Sequence, residues 1–284
     1  MAARPRTLPA AVAPVLVGTS LAIRYGTFHA LAFIAALLGA MAIQIGTNLS
    51  NDYSDARRGA DTDERIGPVR VTAGGLVPPR QVLIATYLTF AAAVLCGVYL
   101  IAIAGWALLA VGAASILAGV LYTGGPRPYG YAGLGEVFVF LFFGIVAVSG
   151  SYFVQRRALP WQAFVLAVPV GLLIAAILVV NNVRDIDTDR RAGKRTLAVR
   201  LGRGRTRVLF AVIVAAAFVT SWVPWFAGSL SAWLLLTLAA APLALGVVAT
   251  VRTHSDGPSL NSALARTAKL ALAFCLLLCA GILA

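Results

Sequence analysis

Leu172-Leu173-Ile174-Ala175-Ala176-Ile177-Leu178-Val179-Val180-Asn181-Asn182-Val183-Arg184-Asp185-Ile186-Asp187-Thr188-Asp189-Arg190-Arg191-Ala192-Gly193 passes from hydrocarbon to dense charge within a few residues. Its apolar part is the end of a run over 160–182, about 20 residues and so the length that crosses a bilayer as helix. Eight other runs of the same kind lie outward from it, at 8–27, 28–49, 81–102, 105–122, 134–154, 206–227, 231–251 and 266–284. The pattern predicts an all-α integral membrane protein of nine transmembrane helices, with residues 1–284 forming one domain. The first run has no short hydrophobic region followed by a cleavage site, so it reads as a span and not as a signal peptide.

Composition supports the bilayer as solvent. Apolar residues make up 60% of the 284 positions, charged residues 12%, and mean hydropathy is +0.89. Soluble domains carry about 25% charged residues. The net charge of +13 invites a nucleic-acid partner, but the placement of the charges argues against one. With the N-terminus in the cytoplasm and the sides alternating, 20 of the 23 Lys and Arg residues fall on the cytoplasmic face. Arg24, Arg156 and Arg157 are the exceptions. The basic excess is therefore the positive-inside signal of a plasma-membrane protein, with its C-terminus outside. The three cysteines, Cys96, Cys275 and Cys279, all lie in spans at spacings that suggest neither disulfide nor metal.

The acids are scarcer and more telling. Eight of the ten stand in two windows, Asp52 to Glu64 and Asp185 to Asp189. Asn51-Asp52-Tyr53-Ser54-Asp55-Ala56-Arg57-Arg58-Gly59 overlays Asp185-Ile186-Asp187-Thr188-Asp189-Arg190-Arg191-Ala192-Gly193. Each follows an even-numbered span, the second and the sixth, which suggests a duplicated four-helix unit with a ninth helix added. Repeats of this kind place a site where their halves meet. In a helix, residues four apart share a face. Asn51 and Asp55 then form one stripe, Asn48 and Asp52 another, and Asn181, Asp185 and Asp189 a third. Facing carboxylates and amides are hard oxygen ligands suited to Mg²⁺, an ion usually shared with substrate phosphates. One such motif at a helix end reads as solvated charge. Two matched ones, in a chain nearly free of other acids, read as a site formed by Asn51, Asp55, Asp185 and Asp189, with Asp52 and Asp187 less central.

Basic residues near both windows are candidates for an anion. They are Arg70, Arg127 at the end of the fourth span, and Lys194 and Arg195 just past Gly193. Arg200 to Arg207 read instead as residues meeting lipid headgroups. Glu136, alone at the start of the fifth span, suits packing or an interface as well as a site.

These stretches, together with Tyr122-Thr123-Gly124-Gly125-Pro126 and Asn181-Asn182-x-Arg184-Asp185-x-x-x-Asp189-x-x-x-Gly193-Lys194-Arg195-Thr196, resemble the UbiA superfamily of intramembrane prenyltransferases over essentially the whole chain. The N-terminal Arg4-Pro5-Arg6-Thr7-Leu8-Pro9 and the segment from Arg184 to Gly202 resemble its menaquinone branch most. The resemblance implies nine helices around a central cavity, capped by the loops after the second and sixth. It implies magnesium–diphosphate ligation by Asn51, Asp55, Asp185 and Asp189. It also implies substrate contacts from Asn182 and Tyr122, with Arg127 as the basic residue after the fourth helix and Arg4 or Arg6 meeting an aromatic acid. Other branches carry a further acid where this chain has Gly59, and Asp61 is the nearest substitute.

The implied reaction is Mg²⁺-dependent transfer of a polyprenyl group from its diphosphate to 1,4-dihydroxy-2-naphthoate, with loss of CO₂. Asp55, Asp185, Asp189 and Lys194 would do the catalytic work, and Tyr53, Tyr122 and Phe138 to Phe143 are aromatic candidates to face the cation. Another acceptor such as 4-hydroxybenzoate is the nearest alternative. A divalent-cation carrier and an alcohol phosphotransferase are alternatives of other classes. The carrier predicts acids deep within spans, and none lies near a span centre. The phosphotransferase predicts its acids in one segment, not two.

Overall fold

The computed structural model describes residues 2–60, 67 and 70–284, without the side chain of Arg6. All regular structure among them is helical. The principal helices are α1 (Pro9–Arg24), α2 (Ala30–Arg57), α3 (Pro79–Ala104), α4 (Ala107–Leu121), α5 (Gly135–Arg156), α6 (Trp161–Arg184), α7 (Arg203–Phe226), α8 (Ala232–Thr253) and α9 (Gly257–Leu283). Seven are long and apolar enough to cross a membrane, which makes the chain a multi-pass membrane protein. The other two, α1 with 16 residues and α4 with 15, fall short of the expected spans. Short helices at Ile186–Arg191 and Leu197–Leu201 follow α6.

Boundaries moved where polar residues proved helical. α2 runs on to Arg57, eight residues past the expected end at 49, so Asn51 and Asp55 lie on one helix as their spacing predicts. α9 begins nine residues before the expected 266, because Asp256 caps it. The Asp256 carboxylate accepts from the Ser259 N–H at 2.8 Å, a bond that holds its carboxyl below the usual range. α6 stops at Arg184, with Asp185 as its C-cap at φ −93°. The three-residue stripe expected over Asn181, Asp185 and Asp189 is therefore broken at its middle member. Both motif glycines end their turns with left-handed backbone, Gly59 at φ 63° and Gly193 at φ 73°, and nothing crowds either. Conformation, not space, requires glycine at the close of each motif.

The main apolar core joins α1 and α6 to α7, α8 and α9 through Val17, Leu166, Leu173, Phe210, Leu234 and Phe274. α6 is its axis, 67% of its apolar window being buried, against 17% for α3 at the periphery. Close approach of α5 and α6 rests on Gly144 and Gly171. A Cβ on Gly144 would stand 2.7 Å from the Gly171 Cα and 2.8 Å from the Ala167 carbonyl oxygen. Gly144 lies in a π-helical stretch of α5, Phe140–Val146, whose wider turns admit this contact. Between the core and the α2–α4 hairpins a cavity of about 1370 Å³ remains. Its walls come from α1 to α6 and α9, and none of its lining residues comes from α7 or α8. The expected symmetry of two four-helix units thus fails at the cavity: α3 and α4 line it, while their counterparts α7 and α8 stand outside.

Candidate active site

One end of the cavity is charged and the rest is apolar. Asn51, Asp55, Arg70, Asp185, Asp189 and Lys194 line the first part; Val94, Val98, Leu108, Phe142 and Val146 are typical of the second. Both motifs therefore reach a single space, from two different helices.

Asp55, 2% exposed, is the centre of the first motif. The Tyr131 hydroxyl donates to its Oδ1 at 2.7 Å, Arg70 Nη2 donates to Oδ2 at 3.4 Å, and Lys194 Nζ lies 3.7 Å from the same oxygen. Lys194 Nζ also stands 4.7 Å from the Tyr131 ring centroid, so one aromatic residue seats both the cation and the carboxylate. Asn51 accepts from the Thr123 hydroxyl at 3.0 Å. Asp52, 1% exposed, serves a different purpose. Its two oxygens accept from the backbone N–H groups of Val71 at 3.3 Å and Thr72 at 2.9 Å. It fastens the segment carrying Arg70 to α2.

At the second motif Arg184, 4% exposed, grips Asp185 with Nε at 2.7 Å and Nη2 at 2.6 Å, a two-point fork. Its Nη1 donates to Asn261 Oδ1 at 2.7 Å and its Nη2 to Asn181 Oδ1 at 2.9 Å, so α9 is tied to the motif. Asn181 Nδ2 donates to Asp185 Oδ2 at 3.3 Å, the expected pair four residues apart. Asn182 donates to Glu136 at 2.8 Å.

Several expected site residues lie elsewhere. Arg127 and Arg195 are exposed and absent from the cavity wall, because each sits on the outer side of its turn. Arg195 contributes only its backbone N–H, to the Tyr131 carbonyl at 2.8 Å. Asp187 is an exposed partner of Arg203 at 2.8 Å. Tyr53 faces Arg57 on its own helix and lines no part of the cavity. Asp61 and the side chain of Arg6 lie outside the described residues; Arg4 lines the cavity. Conversely, sequence reading missed Tyr131, Asn261 and Thr123 as site residues. Of the aromatic candidates in Phe138 to Phe143, Phe138, Phe142 and Phe143 face the cavity. Tyr122 meets Tyr129 edge-on at 5.5 Å, Tyr129 stacks on Phe138 at 3.9 Å, and Phe138 on Phe142 at 6.1 Å, a ladder of rings along one wall. Burial, then the neighbouring Glu136, pushes the Tyr122 phenol well above its ordinary pKa, and burial does the same to Tyr129. Both rings are neutral at physiological pH.

The donor chemistry fits Mg²⁺: one amide and three carboxylates, all hard oxygens, at the charged end of an otherwise apolar cavity. Among the described residues no three His, Cys, Asp or Glu side chains gather into a protein-only cage. Such an arrangement suits an ion that keeps waters and is shared with a phosphate.

A cavity with one end lined by carboxylates and basic side chains and an apolar, aromatic-walled remainder, inside a helical membrane protein, is the form of an intramembrane enzyme for an amphiphilic substrate. The chain belongs to the UbiA prenyltransferase family, whose profile matches residues 11–275. It is 47% identical over 261 residues to the 1,4-dihydroxy-2-naphthoate octaprenyltransferase of Mycobacterium tuberculosis, covering 91% of this chain and 87% of that one. The apo structure of a UbiA homolog from Aeropyrum pernix K1 superposes with a TM-score of 0.72 at 17% identity, covering 98% of both chains. A UbiA homolog from Archaeoglobus fulgidus bound to DMAPP and Mg²⁺ superposes with a TM-score of 0.62 at 15% identity, covering 97% of this chain and 98% of that one.

Proposed function

We propose that this protein transfers a polyprenyl group from a polyprenyl diphosphate to 1,4-dihydroxy-2-naphthoate, with loss of CO₂, in a Mg²⁺-dependent reaction. The observation that carries the reading is the shared cavity. Asp55 and Asp185, from separate motifs, border one space that continues between apolar helices. Naphthoate as acceptor is supported by the relatives that bear that activity in their names.

Asn51, Asp55, Asp185 and Asp189 would hold Mg²⁺, with Asp52 kept for the loop. Bound there, the ion neutralises diphosphate charge and makes that group a better leaving group. Lys194 and Arg70, fixed beside Asp55, meet the diphosphate oxygens as negative charge builds on them. As the C1–O bond breaks, its electron pair leaves with diphosphate. The Tyr122, Tyr129, Phe138 and Phe142 faces stabilise the allylic cation, and the apolar wall keeps water from it. The ring carbon bearing the carboxylate then bonds C1, and the carboxylate departs as CO₂, returning its electron pair to the ring. Arg4, which lines the cavity, would orient the aromatic carboxylate.

In the same reading α1 and α4 complete nine crossings, residues 1–284 act as one unit, and the motif ends face the cytoplasm of a plasma-membrane enzyme. The bonds of Arg156 to the Tyr25 carbonyl and of Arg157 to the Ile103 carbonyl support this sidedness. They gather the few non-cytoplasmic arginines at the helix ends opposite the motifs.

The test incubates membranes containing the protein with Mg²⁺, a labelled polyprenyl diphosphate and a panel of aromatic acids, and weighs the product by mass spectrometry. Decarboxylated prenyl-naphthoquinol is expected. Prenylated 4-hydroxybenzoate alone would move the assignment to another branch, and metal flux in vesicles without any prenyl transfer would replace it with a carrier.

A further inference from the structure

Glu136 stands outside both acidic windows. It lies in the first turn of α5, 6% exposed, and Asn182 Nδ2 donates to its Oε1 at 2.8 Å. Its Oε2 is buried and has no partner among the described residues. A buried carboxylate with one neutral hydrogen bond and no cation costs stability, so packing does not account for it.

Its chemistry constrains Asn182. The two ends of an amide are nearly isosteric, and an asparagine alone can present either. Against Glu136 Oε1 as acceptor, Asn182 turns its NH₂ towards Glu136 and its carbonyl Oδ1 away. Asn182 lines the cavity, and Oδ1 has no hydrogen-bond donor among the described residues and is not among the buried unpaired atoms. The surroundings at this end are rich in donors: Arg184, Arg70 and Lys194 all line it. The outward carbonyl differs from the carboxylates at this end in being a neutral acceptor with no cation or metal role assigned to it.

We propose that Glu136 is a positioning residue that holds the Asn182 amide with Oδ1 facing the cavity, where it accepts a hydrogen bond from a hydroxyl of the aromatic substrate. The inference rests on the hydroxyaromatic acceptor proposed above and adds how that acceptor is selected. Recognition is thereby divided between cations, which meet the diphosphate and carboxylate, and one oriented carbonyl, which meets the hydroxyl.

The test measures initial rates of purified enzyme, varying 1,4-dihydroxy-2-naphthoate and the prenyl diphosphate in turn. Glu136→Gln allows Asn182 either orientation. Its acceptor KM should rise about twofold, because about half of the molecules then keep the carbonyl facing the cavity, with the KM for prenyl diphosphate unchanged. Asn182→Ala removes the carbonyl altogether and should raise the acceptor KM about tenfold, again on that side alone. The double variant Glu136→Gln/Asn182→Asp reverses the pair, a glutamine NH₂ donating to a carboxylate, and again leaves an acceptor oxygen facing the cavity; it should recover most of the acceptor KM. An unchanged acceptor KM in Glu136→Gln or Asn182→Ala, an equal rise for both substrates, or no recovery in the double variant would overturn the proposal while leaving prenyl transfer standing. Wild-type enzyme that prenylates no hydroxyaromatic acid would overturn both.

Discussion

Lys194 Nζ lies 3.7 Å from Asp55 Oδ2, so the loop that follows the second motif closes on the carboxylate of the first. The two motifs are separated by more than a hundred residues, and this contact is where they become one site. Replacing Lys194 by Met keeps its length and removes its charge. The rate of prenyl transfer should fall about 10²-fold, as when one preorganised donor is removed from a developing anion. Lys194→Arg should recover part of it. Full activity in Lys194→Met would show that the contact is only structural.

Arg184 is the second joint. Its fork on Asp185 is buried and its bond to Asn261 is half-buried. Arg184→Met strands both partners, and loss of about 3–5 kcal/mol is expected for breaking such a pair. Thermal unfolding in detergent would show it as a large fall in Tm. Arg184→Lys should fall between, because an ammonium cannot span two carboxylate oxygens and an amide together. A wild-type Tm in Arg184→Met would contradict the assignment.

The contact between α5 and α6 gives a packing prediction. Gly144→Ala places a methyl against backbone on α6 and should cost about 1–3 kcal/mol. Gly204→Ala, on α7 with nothing within 4 Å of a new Cβ, should stay within about 0.5 kcal/mol of wild type. Equal effects of the two substitutions would mean that the helices do not approach as described.

Tyr122 and Tyr129 are held neutral by burial, which raises their pKa in the folded protein. An unfolded tyrosine ionises near pH 10 (about its free value), so their contribution is complete below that pH and is lost as pH rises beyond it. Ultraviolet titration in detergent should show both tyrosines silent where exposed ones ionise. Tyr122→Phe should leave the tyrosinate signal up to about pH 11 unchanged. A signal reduced by one tyrosine in that variant would place the Tyr122 phenol in water.

The helices and the first motif were readable because their physics is local. Apolar run length predicts a span, and the spacing of Asn51 and Asp55 predicts a shared face whatever surrounds them. Arg127 and Arg195 misled because nearness along the chain says nothing about which side of a turn a side chain occupies. Asn261 escaped because hydropathy starts the last span at 266, although a capped polar turn extends the helix towards the site. Tyr131 escaped for a different reason. Its role exists only once the loop after α4 meets both Asp55 and Lys194, and no periodicity records a contact between loops. The carboxylates could be found by their rarity; the neutral residues that hold them had no such contrast.

The π-helical turns of α5 carry a consequence for how this cavity can change over evolutionary time. Phe140–Val146 accommodates more residues per turn than the α-helix on either side. Deleting one residue there would close those turns to regular helix and leave the two flanks in nearly their present relative rotation, because the wider turns already absorb one extra residue. Phe138, before the stretch, would keep its aim, while the turns that bring Gly144 against Gly171 would be lost. A single lost or gained codon in this stretch can therefore reset the contact between α5 and α6 without re-aiming the helix on either side.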